Sequence, residues 1–260
     1  MDLLRTAERA ALHVSASQVK TYLICPKRYC YRYVMGAEPE HVSANLVLGT
    51  AVHSAIAQYY LALMDDQEPE ESKIFAEFRR SIAKAFAAET PVLLDDGQTK
   101  ADLTATGETL IRTFLANVER PDRVLAVETA FYADVADPQT GEFLEEQLTG
   151  FFDAVVQFGD KTVVLEHKTA ARAWSKDQLD FDLQVSLYQA VTGADSVRLQ
   201  VVTKTKVAKF LTYDLCRTER QLTEGVEIVC GVLTAIRARA FFPNPGWGCD
   251  GCEFKKLCRG

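Results

Sequence analysis

The chain has 260 residues, of which 48% are apolar, 25% charged and 10% aromatic, with 29 basic and 36 acidic side chains and a net charge of −7. This composition is typical of a globular protein and excludes a disordered, collagenous or fibrous chain. A chain of this length buries about three quarters of its unfolded surface, so it needs no disulfides to form a core. The acidic balance argues against a protein that coats DNA through a wholly basic surface.

The opening segment is not expected to be a targeting signal or a membrane span. Arg5, Glu8 and Arg9 interrupt it before a signal-like apolar core can form, and we expect no run of about 18 uncharged apolar residues elsewhere. These observations predict a cytoplasmic protein with no membrane partner. In that reducing compartment, the seven cysteines are not expected to form a disulfide framework, so ligation of a metal or a cluster by some of them has to be considered.

Hydrophobic periodicity predicts one domain over residues 1–260, built from three blocks. A helical region over 15–119 precedes a core over 123–214, and a C-terminal helix and tail occupy 218–260. The expected elements are helices over 45–64, 101–119, 178–193 and 218–240, and strands over 123–168, 196–203 and 208–214. This order predicts an α/β fold in which helices flank a mixed sheet.

Two carboxylates and a lysine are expected to meet on one side of that sheet. Glu166 and Lys168 stand two residues apart on a strand and therefore point to the same face, which Asp153 on the preceding strand can reach. Carboxylates are hard ligands for Mg²⁺, which polarises a phosphate and activates water, and a lysine can orient that water. The pattern predicts metal-dependent phosphodiester hydrolysis. An exposed salt bridge without catalytic consequence is the alternative.

Two predicted helices supply further candidates. His53 lies in the helix over 45–64, where it either packs as an ordinary half-buried residue or adds an imidazole to the carboxylate ligands. Gln184 and Tyr188 are one helical turn apart, so both can face the substrate or Lys168. An ordinary amphipathic helix would give the same spacing.

Taken in order, these motifs resemble the PD-(D/E)xK nuclease superfamily, and more narrowly its RecB-like branch. The motifs are Gly49-x-x-x-His53, Gly150-x-x-Asp153, Glu166-x-Lys168 and Gln184-x-x-x-Tyr188. The segment SASQVKTYLICPKRY, which begins at Ser15, resembles the N-terminal signature of that branch. The resemblance extends from about residue 15 to residue 258. It implies a restriction-endonuclease-like core with an N-terminal helical cap and a C-terminal loop that binds a cysteine-ligated cluster.

The resemblance also implies a role for each matching position. The metal-binding positions, for Mg²⁺ or Mn²⁺, are His53, Asp153, Glu166 and the main-chain carbonyl of His167. The catalytic positions are Asp153, Glu166, Lys168, Gln184 and Tyr188. In the family, the lysine assists the attacking water, and the glutamine and tyrosine support catalysis and DNA contact. Glu128 matches a supporting position, although a glutamate on an amphipathic strand can equally face solvent.

The C-terminal tail, which is rich in glycine and proline, contains three cysteines within a stretch of ten residues. These are Cys249, Cys252 and Cys258. A tetrahedral site or a cubane needs a fourth thiolate, and Cys25, which precedes a proline, is our candidate. Cys216 and Cys230 have apolar neighbours and are expected to be inert core thiols. The ligands alone fit Zn²⁺ or iron–sulfur, whereas the resemblance favours a [4Fe-4S] cluster that ties the chain ends together.

The resemblance implies DNA as the substrate, with cleavage of single strands from an end, often 5′ to 3′, as in CRISPR-associated RecB-like exonucleases and their phage relatives. Aromatic and basic residues between Tyr22 and Tyr33 form either a platform for bases and phosphates or part of the core. No Gly-x-x-x-x-Gly-Lys-Ser/Thr loop occurs, so unwinding would require a partner. Helicase, recombinase or integrase partners and a homo-oligomer are further expectations. The alternatives are a DNA-binding adaptor subunit and a prespacer-processing subunit of a CRISPR adaptation complex.

Overall fold

The computed structural model describes residues 13–260, and the prediction about a targeting signal falls on the residues before this range. The helices are α1 (Ala16–Ile24), α2 (Pro26–Tyr29), α3 (Ala44–Met64), α4 (Glu71–Ala87), α5 (Lys100–Asn117), α6 (Lys176–Asp180), α7 (Leu183–Thr192), α8 (Glu219–Arg237) and α9 (Lys255–Arg259). The strands are β1 (His13–Ser15), β2 (Val42–Ser43), β3 (Val92–Leu93), β4 (Arg123–Ala136), β5 (Phe143–Phe158), β6 (Lys161–Ala170), β7 (Ser196–Thr203) and β8 (Phe210–Leu215).

These elements confirm the predicted α/β architecture, and the observed bounds of β7 equal the predicted ones. The helix predicted over 178–193 is divided into α6 and α7. The division occurs because the Asp182 side chain accepts a hydrogen bond from the Val185 backbone N–H at 3.1 Å and caps a new helix there. The last long helix ends at Arg237, three residues before the predicted end.

Strand β5 is paired along both of its edges, and the pairing leaves a gap. Strand β4 pairs antiparallel along one edge for nearly the whole length of β5. On the other edge, β6 pairs antiparallel with residues 154–158 and the short β1 pairs parallel with residues 147–149. Neither of these two strands pairs with residues 150–153. The Gly150-x-x-Asp153 motif therefore occupies the opening between β1 and β6.

Strands β7 and β8 extend the sheet beyond β6, parallel and antiparallel respectively, and apolar clusters cover both faces. One cluster packs α3, α4 and α5 against Val163 and Leu165 of β6. The other packs α1, α7 and α8 against Val164 of the same strand. Because side chains alternate along a strand, Glu166 belongs to the side of α1 and α7, and His167 to the side of α3 and α5.

Helix α3 corrects the expectation that no segment has the length and composition of a membrane span. Its 21 residues contain no Asp, Glu, Lys or Arg, and it is long and apolar enough to cross a membrane by those two criteria. Half of its most apolar window is buried inside the protein, including Leu48 and Tyr60. The central helix of a globular core passes the same test, and this burial places α3 in the core.

The segment from Tyr22 to Tyr33 anchors the C-terminal tail, which favours the core among the two alternatives for its aromatic residues. Three of its aromatic side chains are buried, namely Tyr22, Tyr29 and Tyr31. Arg28 and Arg32 both form ion pairs with the buried carboxylate of Glu253. These ion pairs hold both guanidinium groups against the tail.

Gly107 marks a close crossing of α5 and α4 and gives a test of the packing. A Cβ at this position would lie 2.1 Å from Cζ and 2.4 Å from Cε2 of the fully buried Phe78. We expect Gly107→Ala to lower the free energy of unfolding by about 1–3 kcal/mol, although alanine favours helix. Gly231 in α8 has open space around its Cα, so Gly231→Ala should stabilise by up to about 1 kcal/mol. Chemical denaturation of both variants measures this contrast, which equal effects would contradict.

Candidate active site

A cleft of about 670 Å³ opens beside the gap in the β5 pairing. It lies between α3, which lines it from Asn45 to Leu61, and the elements that carry the other predicted motifs. Its polar lining includes Ser17, Thr50, His53, Glu128, Glu166, Lys168 and Gln184. Residues from five separate elements therefore share one concave surface, as in most enzyme active sites.

Asp153 lies where β5 and β6 separate. The backbone N–H of His167 donates to Asp153 Oδ2 at 2.7 Å, so a side-chain carboxylate takes the place of a backbone acceptor. The second oxygen, Oδ1, lies 3.4 Å from Nδ1 of His53 on α3. The structure thus brings together the histidine of the first motif and the aspartate of the second.

Glu166 and Lys168 form an ion pair on the cleft side of β6, as their spacing on the strand predicts. The other carboxylate oxygen of Glu166, Oε2, is buried and has no hydrogen-bond partner among the described residues. A buried carboxylate oxygen without a partner is energetically costly. A bound cation would supply the partner that this oxygen lacks among the described residues.

A chain of hydrogen bonds attaches Lys168 to α7. Its Nζ donates to Gln184 Oε1 at 2.9 Å, and Gln184 Nε2 donates to the Tyr188 hydroxyl at 2.7 Å. That hydroxyl donates in turn to the carbonyl oxygen of Phe151 at 2.6 Å. The predicted face of Gln184 and Tyr188 therefore contacts the lysine and also satisfies a carbonyl in the β5 gap.

Burial and the neighbouring charges move the pKa values of Asp153 and Glu166 in opposite directions. Burial by itself would raise the pKa of Asp153, but the charge of His53 and hydrogen bonds from His167 and His53 hold it below its ordinary value. Burial, reinforced by the Asp153 charge, raises the pKa of Glu166 to about 7, against the opposing effect of Lys168. Two acids with separated pKa values in one cleft are typical of a functional site.

Lys168 stays charged in this environment. Burial would lower the pKa of its ammonium group, but the carboxylate of Glu166 outweighs burial and raises it. A buried ammonium group that keeps its charge can stabilise negative charge that develops on a phosphate.

Glu128 lies at the edge of the cleft, opposite Asp153 on the neighbouring strand, since Val127 pairs with Ala154 and Thr129 with Phe152. Its backbone has a φ of 46°, which is uncommon for a residue other than glycine and occurs often near functional sites. Burial and the Asp153 charge raise its pKa. Its supporting role stays a prediction.

Asp182 is not among the predicted site residues, yet it holds α7 in place. Besides capping the helix, its carboxylate pairs with Lys20 of α1 at 3.0 Å. The carbonyl of Asp182 and the hydroxyl of Ser186 accept hydrogen bonds from the buried guanidinium of Arg217. An aspartate just before an apolar helical run is a capping signal that could have identified it.

The donor set of the cleft fits a divalent cation. Within residues 13–260, no three His, Cys, Asp or Glu side chains are grouped to hold a metal ion as they stand. However, His53 and Glu166 line the same cleft, Asp153 lies 3.4 Å from His53, and Glu166 Oε2 has no partner among the described residues; this combination of donors suits Mg²⁺ or Mn²⁺. We therefore retain His53, Asp153 and Glu166 as candidate ligands.

A second cavity, of about 770 Å³, is lined by the four predicted cluster ligands. They are Cys25, Cys249, Cys252 and Cys258. A hydrogen bond from the Gly246 backbone and the nearby Arg259, whose Nη2 lies 3.9 Å from the Cys249 sulfur, lower the pKa of Cys249. Cys216 is exposed, which corrects its prediction as a core thiol.

Two glycines of the predicted motifs differ in how tightly they are packed. A Cβ on Gly150 would lie 2.7 Å from Cε1 of Phe131, whose ring is stacked on Phe152. A Cβ on Gly49 would make an ordinary contact, 3.5 Å from Thr169 Oγ1.

We expect Gly150→Ala to displace the Phe131 ring and, through it, the Tyr188 ring that packs edge-on against it. Since misplacement of a catalytic group by 1 Å costs up to about 10²-fold in rate, nuclease activity should fall toward that level. Gly49→Ala is the matched control and should keep most of its activity. Comparison of the two rates under one condition is the measurement, and equal rates would contradict the packing argument.

Comparisons with known proteins agree with this geometry. The profile of the PD-(D/E)XK nuclease superfamily matches residues 13–259. A crystal structure from Eubacterium rectale, described as that of a candidate exonuclease, is similar with a TM-score of 0.58 and 15% identity, over 97% of this chain and 90% of that chain. The structure of SSO0001 matches with a TM-score of 0.41 and 13% identity, over 90% and 94% of the two chains, which is too weak to carry an argument. No curated protein sequence matches. The superfamily and its restriction-endonuclease-like fold are thereby confirmed, and the RecB-like branch stays a prediction.

Proposed function

The chain belongs to the PD-(D/E)XK nuclease superfamily, and we propose that it is a Mg²⁺- or Mn²⁺-dependent deoxyribonuclease that degrades single-stranded DNA from an end, 5′ to 3′. The observation that supports this activity most directly is the meeting of Asp153, Glu166 and Lys168 beside one cleft, with the buried Oε2 of Glu166 left without a partner. A fold of this superfamily alone would not require these three groups to converge.

In the proposed mechanism, the cation would be held by His53, Asp153, Glu166 and the main-chain carbonyl of His167. When bound, the cation would polarise the scissile phosphate and lower the pKa of water. Lys168 places its ammonium group beside Glu166, where it orients the attacking water and offsets the charge that develops on the phosphate. Gln184 and Tyr188 keep the lysine in this position through their hydrogen bonds.

The choice of a DNA end as the substrate rests on two likenesses. One is the resemblance of the ordered motifs to RecB-like exonucleases. The other is the structural neighbour described as a candidate exonuclease. Both likenesses support cleavage from an end. The proposed 5′ to 3′ direction rests only on the resemblance of the motifs.

We further propose that the four cysteines of the second cavity hold a [4Fe-4S] cluster with a structural role in a cytoplasmic protein. Support comes from their common cavity, although they are distant in sequence. The tail that carries three of them is also anchored by Glu253, whose backbone carbonyl accepts from the Glu40 N–H at 2.9 Å. A cluster would add a second link between the chain ends.

Anaerobic purification followed by iron and sulfide analysis tests the cluster. We expect a brown protein with about four iron and four sulfide per chain, and loss of both in Cys249→Ser. A colourless protein that contains one zinc would contradict the cluster and leave the nuclease proposal unaffected, since the two sites share no residue.

Digestion of single-stranded DNA labelled at the 5′ or the 3′ end tests the activity. With Mn²⁺, 5′-labelled strands should release short labelled products at once, and 3′-labelled strands should shorten gradually. The reverse pattern would contradict the polarity. Binding of DNA without any cleavage would favour the adaptor alternative.

A further inference from the structure

The side chain of His167 is an unusual group for its place in the fold. It is 3% exposed and lies on the side of the sheet that faces α3 and α5. The ring centroids of Tyr60 and Phe114 lie 5.4 Å and 5.9 Å from the imidazole centroid. An imidazole in such an apolar enclosure loses solvation, so an aliphatic side chain would be cheaper to bury there unless the ring makes a specific bond.

That bond is to Asp153. Nδ1 of His167 lies 3.2 Å from Asp153 Oδ2, the same oxygen that accepts the His167 backbone N–H at 2.7 Å. Two donors of one residue therefore converge on Oδ2. The other oxygen, Oδ1, lies near His53 instead. The carboxylate is therefore oriented so that Oδ1 is the oxygen beside the second candidate metal ligand.

Gln200 and Tyr60 are buried beside the imidazole of His167. Gln200 of β7 is the direct strand partner of His167 and is 1% exposed. Its Oε1 accepts a hydrogen bond from the hydroxyl of the fully buried Tyr60 at 3.2 Å. Nε2 of His167 is buried and has no hydrogen-bond partner among the described residues. The Asp153 carboxylate can only accept, so its contact with Nδ1 requires the tautomer that carries the proton on Nδ1.

We propose that His167 is a positioning residue whose imidazole fixes the Asp153 carboxylate so that Oδ1 binds the divalent cation. This role differs from that of the His167 main-chain carbonyl, and it rests on the proposed metal-dependent function. Groups that orient a metal ligand from behind typically change metal affinity by about 10- to 100-fold when removed.

Three variants of His167 separate this role from packing. The amide nitrogen of asparagine can occupy the place of Nδ1, whereas that of glutamine reaches the place of Nε2, and leucine fills the space without a donor. The main-chain carbonyl is kept in all three. The measurement is titration of metal-free protein with Mn²⁺ in the absence of DNA, with free Mn²⁺ followed by electron paramagnetic resonance, beside the thermal unfolding midpoint of each variant without metal.

We expect His167→Leu and His167→Gln to weaken Mn²⁺ binding by about 10-fold or more, and His167→Asn to restore it, whatever the order of their unfolding midpoints. Equal affinity of His167→Asn and His167→Gln would overturn the proposal, even if His167→Leu fails to fold. Absence of Mn²⁺ binding by the wild-type protein would instead overturn the proposed function.

Discussion

Replacement of Lys168 with methionine is expected to reduce DNA cleavage by about 10³-fold, because the ammonium group that offsets phosphate charge is removed while the volume of the side chain is kept. Mn²⁺ binding to the metal-free protein should not weaken, since loss of Lys168 frees the paired oxygen of Glu166. The cleavage rate at saturating Mn²⁺ and the Mn²⁺ affinity are the two quantities to measure.

Lys161→Met is the matched control for that variant. Lys161 begins the same strand, is exposed, and lies at the opposite end of β6 from the cleft. Its replacement should leave cleavage unchanged. A Lys168→Met protein that cleaves as fast as the control would exclude the lysine from the mechanism.

Replacement of Asp153 with asparagine is expected to reduce cleavage by at least about 10³-fold. Asparagine has nearly the same shape and its carbonyl can still accept the His167 N–H, but it lacks the negative charge that binds a cation. In contrast to Lys168→Met, this variant should also lose Mn²⁺ affinity. The pair of variants thus separates metal binding from the later chemistry.

Asp160→Asn serves as the control, because Asp160 lies in the exposed turn between β5 and β6. Circular dichroism should show the same secondary structure in both variants. Full activity of Asp153→Asn at low Mn²⁺ concentration would contradict the assignment of Asp153 as a ligand.

Much of the candidate site could be predicted from the sequence because it depends on short-range geometry. Glu166 and Lys168 share a face since a strand has a period of two, and Gln184 and Tyr188 share one since a helix has a period of 3.6. The convergence of His53 with Asp153 depends on tertiary packing and came from the resemblance to a nuclease superfamily, not from spacing.

Other features of the structure cannot be predicted from any short stretch of the sequence. The gap between β1 and β6 arises from two strands that are distant in sequence and cover different parts of the β5 edge. Gln200 reads as one polar residue in a buried strand until β7 is known to pair with β6. Burial of the tyrosines near Pro26 depends on the docked tail, so their sequence pattern suited both a surface platform and a core.

The most direct test of the account is digestion of one single-stranded DNA sequence in linear and circular form, with Mn²⁺ or with EDTA. A metal-dependent exonuclease should degrade the linear strand only in the presence of Mn²⁺ and should leave the circle intact. Cleavage of the circle with Mn²⁺ would contradict the requirement for an end. Failure of the protein to cleave either form with Mn²⁺, or undiminished cleavage in EDTA, would contradict the central claim of a metal-dependent nuclease.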